Sequence, residues 1–159
     1  MKRPAIVLTA CLLSGSLASG QSVPFGEPRA RADRLSQPSL GDLMTFVQFR
    51  HIKLWFAGKA RNWEALAYEA GQLQDSLARS ALLYSNIPIE LVLAMNKPLQ
   101  DIGQAAKDRN AALFQAGYRD LQAGCNACHQ AAGIGFIRIQ TPTSSPFTDQ
   151  ALGSGGKAR

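Results

Sequence analysis

Between Ser39 and His129 apolar residues recur at alternating spacings of three and four, the period that gathers them into one stripe of an α-helix. No strand-like alternation interrupts the run. The first stretch, roughly Ser39 to Ala57, puts Leu40, Met44, Val47, His51, Leu54 and Gly58 on one seam, with Gly58 suited to the C-terminal stop. A second begins with Asn62 as N-cap, followed by Trp63 and Glu64. It carries Trp63, Ala67, Ala70, Leu73, Leu77 and Tyr84 inward until Asn86 and Pro88 break it. In a continuous helix Pro98 would remove a donor and clash with the carbonyl of Ala94, so the third segment divides. It reads as a turn or short helix from Ile89 to Met95, then a helix from about Pro98 to Lys107 with the proline in its first turn. Asp108 is the expected cap of the fourth helix, whose seam runs Phe114, Gly117 or Tyr118, Leu121, Cys125 and Cys128. Four helices with short connections predict an all-α fold, an antiparallel four-helix bundle over residues 39–133, in which facing helices build cofactor sites.

The flanks lack this period. Gln21 to Pro38 is rich in Pro, Gly, Ser and Arg and reads as a flexible leader. Beyond Gly133, Phe136 to Ile139 reads as extended and Thr141 to Gln150 is rich in Pro, Ser and Thr, an irregular tail over 134–159 expected to wrap the end of the last helix. Residues 1–20 have the plan of an export signal: basic Met1-Lys2-Arg3, an apolar stretch to Ala18, and small Ala18 and Gly20 before Gln21. That stretch is too short to span a bilayer, so no integral membrane span is expected after its removal. Leu8 to Cys11 resembles a lipoprotein box, the competing arrangement, with Cys11 as a lipid anchor.

Length and composition sharpen the picture in two places. A chain of 159 residues with 46% apolar content has room for one domain with one core. Loss of Lys2 and Arg3 from 17 basic residues, against 11 acidic ones, lowers the formal charge from +6 to +4. Arg29, Arg31 and Arg34 sit in the leader without interleaved aromatics, so no nucleic-acid partner is expected.

After signal removal only Cys125 and Cys128 remain, so no disulfide framework is available and the two thiols need another account. They belong to Cys125-Asn126-Ala127-Cys128-His129, a CxxCH run. Three residues apart on a helix, the thiols share a face and can each form a thioether to one haem vinyl group, while His129 approaches the iron from the same side. A zinc site would need four ligands and would have to recruit distant His51. A thioredoxin-like dithiol belongs beside a strand-helix-strand pattern, absent from the periodicity.

An exported four-helix chain with CxxCH on its last helix resembles the class II cytochromes c, the cytochrome c′ group, over about Ser39 to Gly133. The resemblance implies one covalent haem c, with the face opposite the proximal histidine lined by the first helix. It also implies a periplasmic location, redox partner proteins and the homodimers known in the group. The sequence departs from the family after His129, where Gln130-Ala131-Ala132-Gly133 lacks the usual basic residue. The run Arg50 to Gly58 and the tail from Gly135 to Pro142 suggest a distinct branch.

His51 is the only other histidine and lies mid-seam on the first helix, between Val47 and Leu54. A buried imidazole needs a partner: a core histidine bonded to a carbonyl is one reading, but the resemblance, which draws the sixth ligand from this helix, makes iron the expected partner and His51 the ligand opposite His129. Met44 and Met95 are the competing ligands, though methionine at helical spacing is usually packing. Trp55, Phe56, Trp63 and Phe114 read as core or pocket walls, and Arg50 and Lys53 as either propionate partners or an exposed helix face. Two strong ligands leave no open site, so electron transfer without enzymatic activity is the expectation. A gas-binding or sensing protein for nitric oxide or carbon monoxide is the alternative if His51 does not bind.

Overall fold

A computed structural model describes residues 37–85 and 87–153. The export signal with Cys11, the leader as far as Ser36, Asn86 and the last six residues lie outside the described residues. The chain from Pro38 onward forms a compact unit, and the description concerns that unit.

The described residues are all-helical and contain no strand, an architecture compatible with a helical bundle. Helix α1, Leu40–Lys59, starts in a reciprocal capping box: the Ser39 hydroxyl accepts from the Asp42 amide at 3.1 Å, and the Asp42 carboxylate accepts from the Ser39 amide at 3.0 Å. These bonds to Ser39 hold the Asp42 carboxyl below its ordinary range. Helix α2, Trp63–Leu83, is capped by Asn62. Short α3, Ile89–Ala94, leads straight into α4, Asn96–Lys107, as the proline required; Pro98 lies in the first turn of α4, where its missing amide would have had no helical partner. Helix α5 spans Ala111–Ala131.

Two expected boundaries shift, for one shared reason. Helix α1 runs past Gly58, and α5 is capped by Asn110, whose side chain accepts from the amides of Ala112 and Leu113; Asp108 instead ends α4. In both inter-helix turns an arginine takes the left-handed conformation, Arg61 at φ 57° and Arg109 at φ 50°. In both, the following asparagine donates its amide back five residues, Asn62 to Ala57 and Asn110 to Ala105, each at 2.9 Å, and then caps the next helix. Gly58 is needed for space: a Cβ there would fall within the ring of Phe114.

Helix α1 packs chiefly on α2, α2 on α4 and α4 on α5, while α1 meets α5 less extensively. Gly117 opposes Ile102 and Pro98, Gly124 opposes Met95, and Gly58 opposes Phe114 while His51 meets Tyr118, so α5 runs antiparallel to both α4 and α1. The inward seam of α2 is rotated from the expected one, with Leu66, Glu69, Ala70, Leu73 and Ser80 buried and Ala67 exposed. Periodicity undervalued charged Glu69, which is buried because Arg50 of α1 donates to it at 3.0 Å.

The packed core lies toward the α1–α2 turn, where Leu54, Leu66, Leu73, Ile102, Phe114, Tyr118 and Leu121 are almost fully buried. Trp55, Phe114 and Tyr118 form an aromatic cluster with centroids 4.9–5.8 Å apart. The tail after α5 forms neither helix nor strand, yet it is tied down along its length. The Asn126 side chain accepts from the Ile139 amide at 2.8 Å and donates to its carbonyl at 2.9 Å. Further on, Thr141 bonds Gln122, Phe147 packs edge-on against Phe49 at 5.6 Å, and Gly153 accepts from Asn62. The tail therefore passes from α5 across to α1, two helices that meet less extensively than α1 and α2 or α4 and α5.

Candidate functional site

At the end of the molecule away from the aromatic cluster lies a cavity of about 400 Å³. Helix α1 contributes Met44, Val47 and His51; α5 contributes Cys125, Cys128 and His129. Leu91, Val92 and Met95 close a third side, and Ile134, Ile137 and Ile139 of the tail a fourth. Among the described residues no Lys, Arg, Asp or Glu lines it, so apart from two histidines and a few neutral polar groups these walls are apolar. Its size and character are those of a site for an apolar organic group oriented by a few polar atoms. All four residues singled out from sequence, Cys125, Cys128, His129 and His51, border this one space.

The two histidines are prepared alike. Nδ1 of His129, in the last turn of α5, lies 2.7 Å from the carbonyl of Ile137. A carbonyl only accepts, so Nδ1 carries a proton, and in the neutral ring the lone pair is then on Nε2. His51 is 4% exposed, and its Nδ1 lies 3.0 Å from the Tyr118 hydroxyl, which in turn lies 3.3 Å from the His51 carbonyl. Both contacts are satisfied when Nδ1–H donates to the phenol oxygen and the phenol O–H donates to the carbonyl. Nε2 of His51 is then a buried nitrogen with no hydrogen-bond partner, the only such side-chain atom among the described residues. Burial holds this imidazole down at about 4, neutral across the physiological range.

The thiols are free, and burial pushes Cys125 up to about 11, with a smaller push from neighbouring Cys128; burial raises Cys128 as well. A redox dithiol works through a depressed thiolate, and this environment does the opposite. Among the described residues no cluster of three or more His, Cys, Asp or Glu is assembled that would hold a metal ion by side chains alone.

The donor set fits a haem. Two thiols sit one helical turn apart, a histidine with a free Nε2 adjoins them, and a second unpartnered imidazole nitrogen is supplied from the opposite helix, around an apolar space. Met44 and Met95 also border the cavity; Met95 is buried against Gly124, where its side chain occupies the room a Cβ would take. Arg50 and Lys53 do not line the cavity: Arg50 is committed to Glu69, and the Lys53 ammonium lies 4.5 Å from the centre of the Phe147 ring. Phe56 and Trp63 stand away from it, and Trp55 and Phe114 belong to the aromatic cluster.

Tyr118 and Asn126 escaped the sequence reading as site residues. The seam of the last helix includes Gly117 or Tyr118, and because a buried phenol needs a polar partner, the one histidine of the facing seam is the signal that points to Tyr118. Asn126 carried no signal, because its partner is backbone in a stretch without periodicity. No helix among the described residues is long and apolar enough to cross a membrane. No known protein family, curated protein or solved structure matches the chain.

Proposed function

We propose that this chain is an exported c-type cytochrome that carries one covalent haem and passes single electrons between redox partner proteins in the periplasm. The observation that carries the reading is the buried, unpartnered Nε2 of His51 on the same cavity as Cys125, Cys128 and His129. An orphaned polar atom in an apolar wall costs about 1–3 kcal/mol, and an iron ligand position removes that cost. In this reading Cys125 and Cys128 would hold the haem by thioethers, each S–H adding across one vinyl group with no by-product, and His129 and His51 would each offer its iron an imidazole nitrogen. The bound haem supplies reversible one-electron chemistry at iron. The chain's own residues orient both imidazoles through their Nδ1 contacts within apolar walls and would offer the iron two nitrogen ligands, an arrangement suited to outer-sphere electron transfer. The all-helical fold accords with the four-helix antiparallel arrangement of the cytochrome c′ group.

The test is the optical and paramagnetic-resonance spectrum of the exported protein, with and without carbon monoxide. Covalent haem, low-spin in both oxidation states and slow to bind carbon monoxide, is expected, as is conversion of His51→Ala to a high-spin species that binds the gas at once. Absence of covalent haem overturns the whole reading. A high-spin wild-type protein that takes up carbon monoxide immediately turns it toward gas binding, and an unchanged low-spin His51→Ala removes His51 from the iron.

A further inference from the structure

Tyr118 is 1% exposed, lies on α5 two turns before Cys125, and stacks on His51 with ring centroids 4.6 Å apart and planes 28° from parallel. Trp55, at 4.9 Å, and Phe114, at 5.8 Å, support the phenol ring on its other sides. It is thus fixed by packing before it makes any hydrogen bond. Its hydroxyl reaches two atoms of one residue, Nδ1 and the carbonyl oxygen of His51, at 3.0 and 3.3 Å. Tyr118 therefore constrains the histidine's ring rotation through Nδ1, and a phenol O–H spent on the His51 carbonyl leaves the Nδ1 contact to be made by the histidine's own proton.

We infer that Tyr118 is a positioning residue: it holds the proton of His51 on Nδ1 and so presents Nε2 as an electron-pair donor to the haem iron. The inference rests on the haem reading above. A phenol oxygen accepting the Nδ1 proton also makes the imidazole a stronger donor, which favours ferric over ferrous iron and slows displacement of His51 by competing ligands. Partners at this remove from a metal typically change ligand strength by about 10–100-fold.

The experiment compares exported wild-type, Tyr118→Phe and His51→Ala holoproteins. Phenylalanine keeps the ring packing and removes only the hydroxyl. Tyr118→Phe is expected to stay low-spin, to bind carbon monoxide in the ferrous state about 10–100-fold faster than wild type, and to have a higher reduction potential. Carbon monoxide kinetics within twofold of wild type and an unmoved potential, in a protein whose His51→Ala variant turns high-spin, overturn the role of Tyr118 and leave His51 ligation standing. A wild-type protein without covalent haem, or an unchanged His51→Ala spectrum, overturns both. Should Tyr118→Phe fail to accumulate, ferrous wild-type protein labelled with ¹⁵N-histidine gives a second measurement. A slowly exchanging His51 Nδ1 proton is expected, and rapid exchange with solvent overturns the inference.

Discussion

A neutral imidazole shut into an apolar wall is a liability whenever the pH falls. In the chain without haem, His51 binds its proton at about 4 when folded and near 6.5 when unfolded. Between those values the unfolded state holds the extra proton, so stability is full above about pH 6.5, declines through the window and levels off below about pH 4. The whole effect is up to about 3 kcal/mol, at about 1.4 kcal/mol for each pH unit. Urea unfolding of a Cys125→Ala/Cys128→Ala chain at pH 7 and pH 4.5 is expected to show most of that loss, and His51→Gln to remove this component of the slope. His51 was legible from sequence because a lone histidine interrupts an otherwise apolar seam. The reciprocal bond that orients it was not, because it joins residues 67 positions apart and depends on a register between α1 and α5 that periodicity does not specify.

At the scale of elements, apolar spacing located the four helical stretches and the proline-forced division before α4, while the ends moved. The residues chosen to mark the ends were serving other purposes: Gly58 admits the Phe114 ring, and Asp108 terminates one helix instead of starting the next. The turns are closed by Arg61 and Arg109 in a conformation that costs an L residue about 1–2 kcal/mol and glycine almost nothing. Arg61→Gly and Arg109→Gly should each raise stability by about 0.5–1 kcal/mol once glycine's greater freedom in the unfolded chain is subtracted. Arg61→Val should lower it, because a β-branched residue fits that conformation worst. Thermal unfolding of the three variants checks the sign of each change.

Across the whole molecule, the two ends are built differently: an aromatic, densely packed one toward the α1–α2 turn, and one whose walls surround the 400 Å³ cavity. The tail links them, and Asn126 is its main fastening beside the cavity, with two bonds to the Ile139 backbone. Asn126→Ala leaves that amide and carbonyl without protein partners and should cost about 1–3 kcal/mol. It should also free Ile137 from His129, so on the proposed haem reading the reduction potential is expected to rise as the His129 imidazole becomes a weaker donor. Equal potentials and unfolding midpoints in variant and wild type would show the fastening to be idle. Composition announced a tail, but its course was illegible, since side-chain-to-backbone bonds leave no period in the residues that accept them. Helix α3 draws out what the open end means for the cell. None of its six residues is fully buried, its packing on α2, α4 and α5 is slight, and Leu91 and Val92 face the cavity, so a group seated there would add to its support. On the proposed haem reading, a chain that lacked its prosthetic group would keep this short helix with little support, and Ile89–Ala94 would be where proteases open it first.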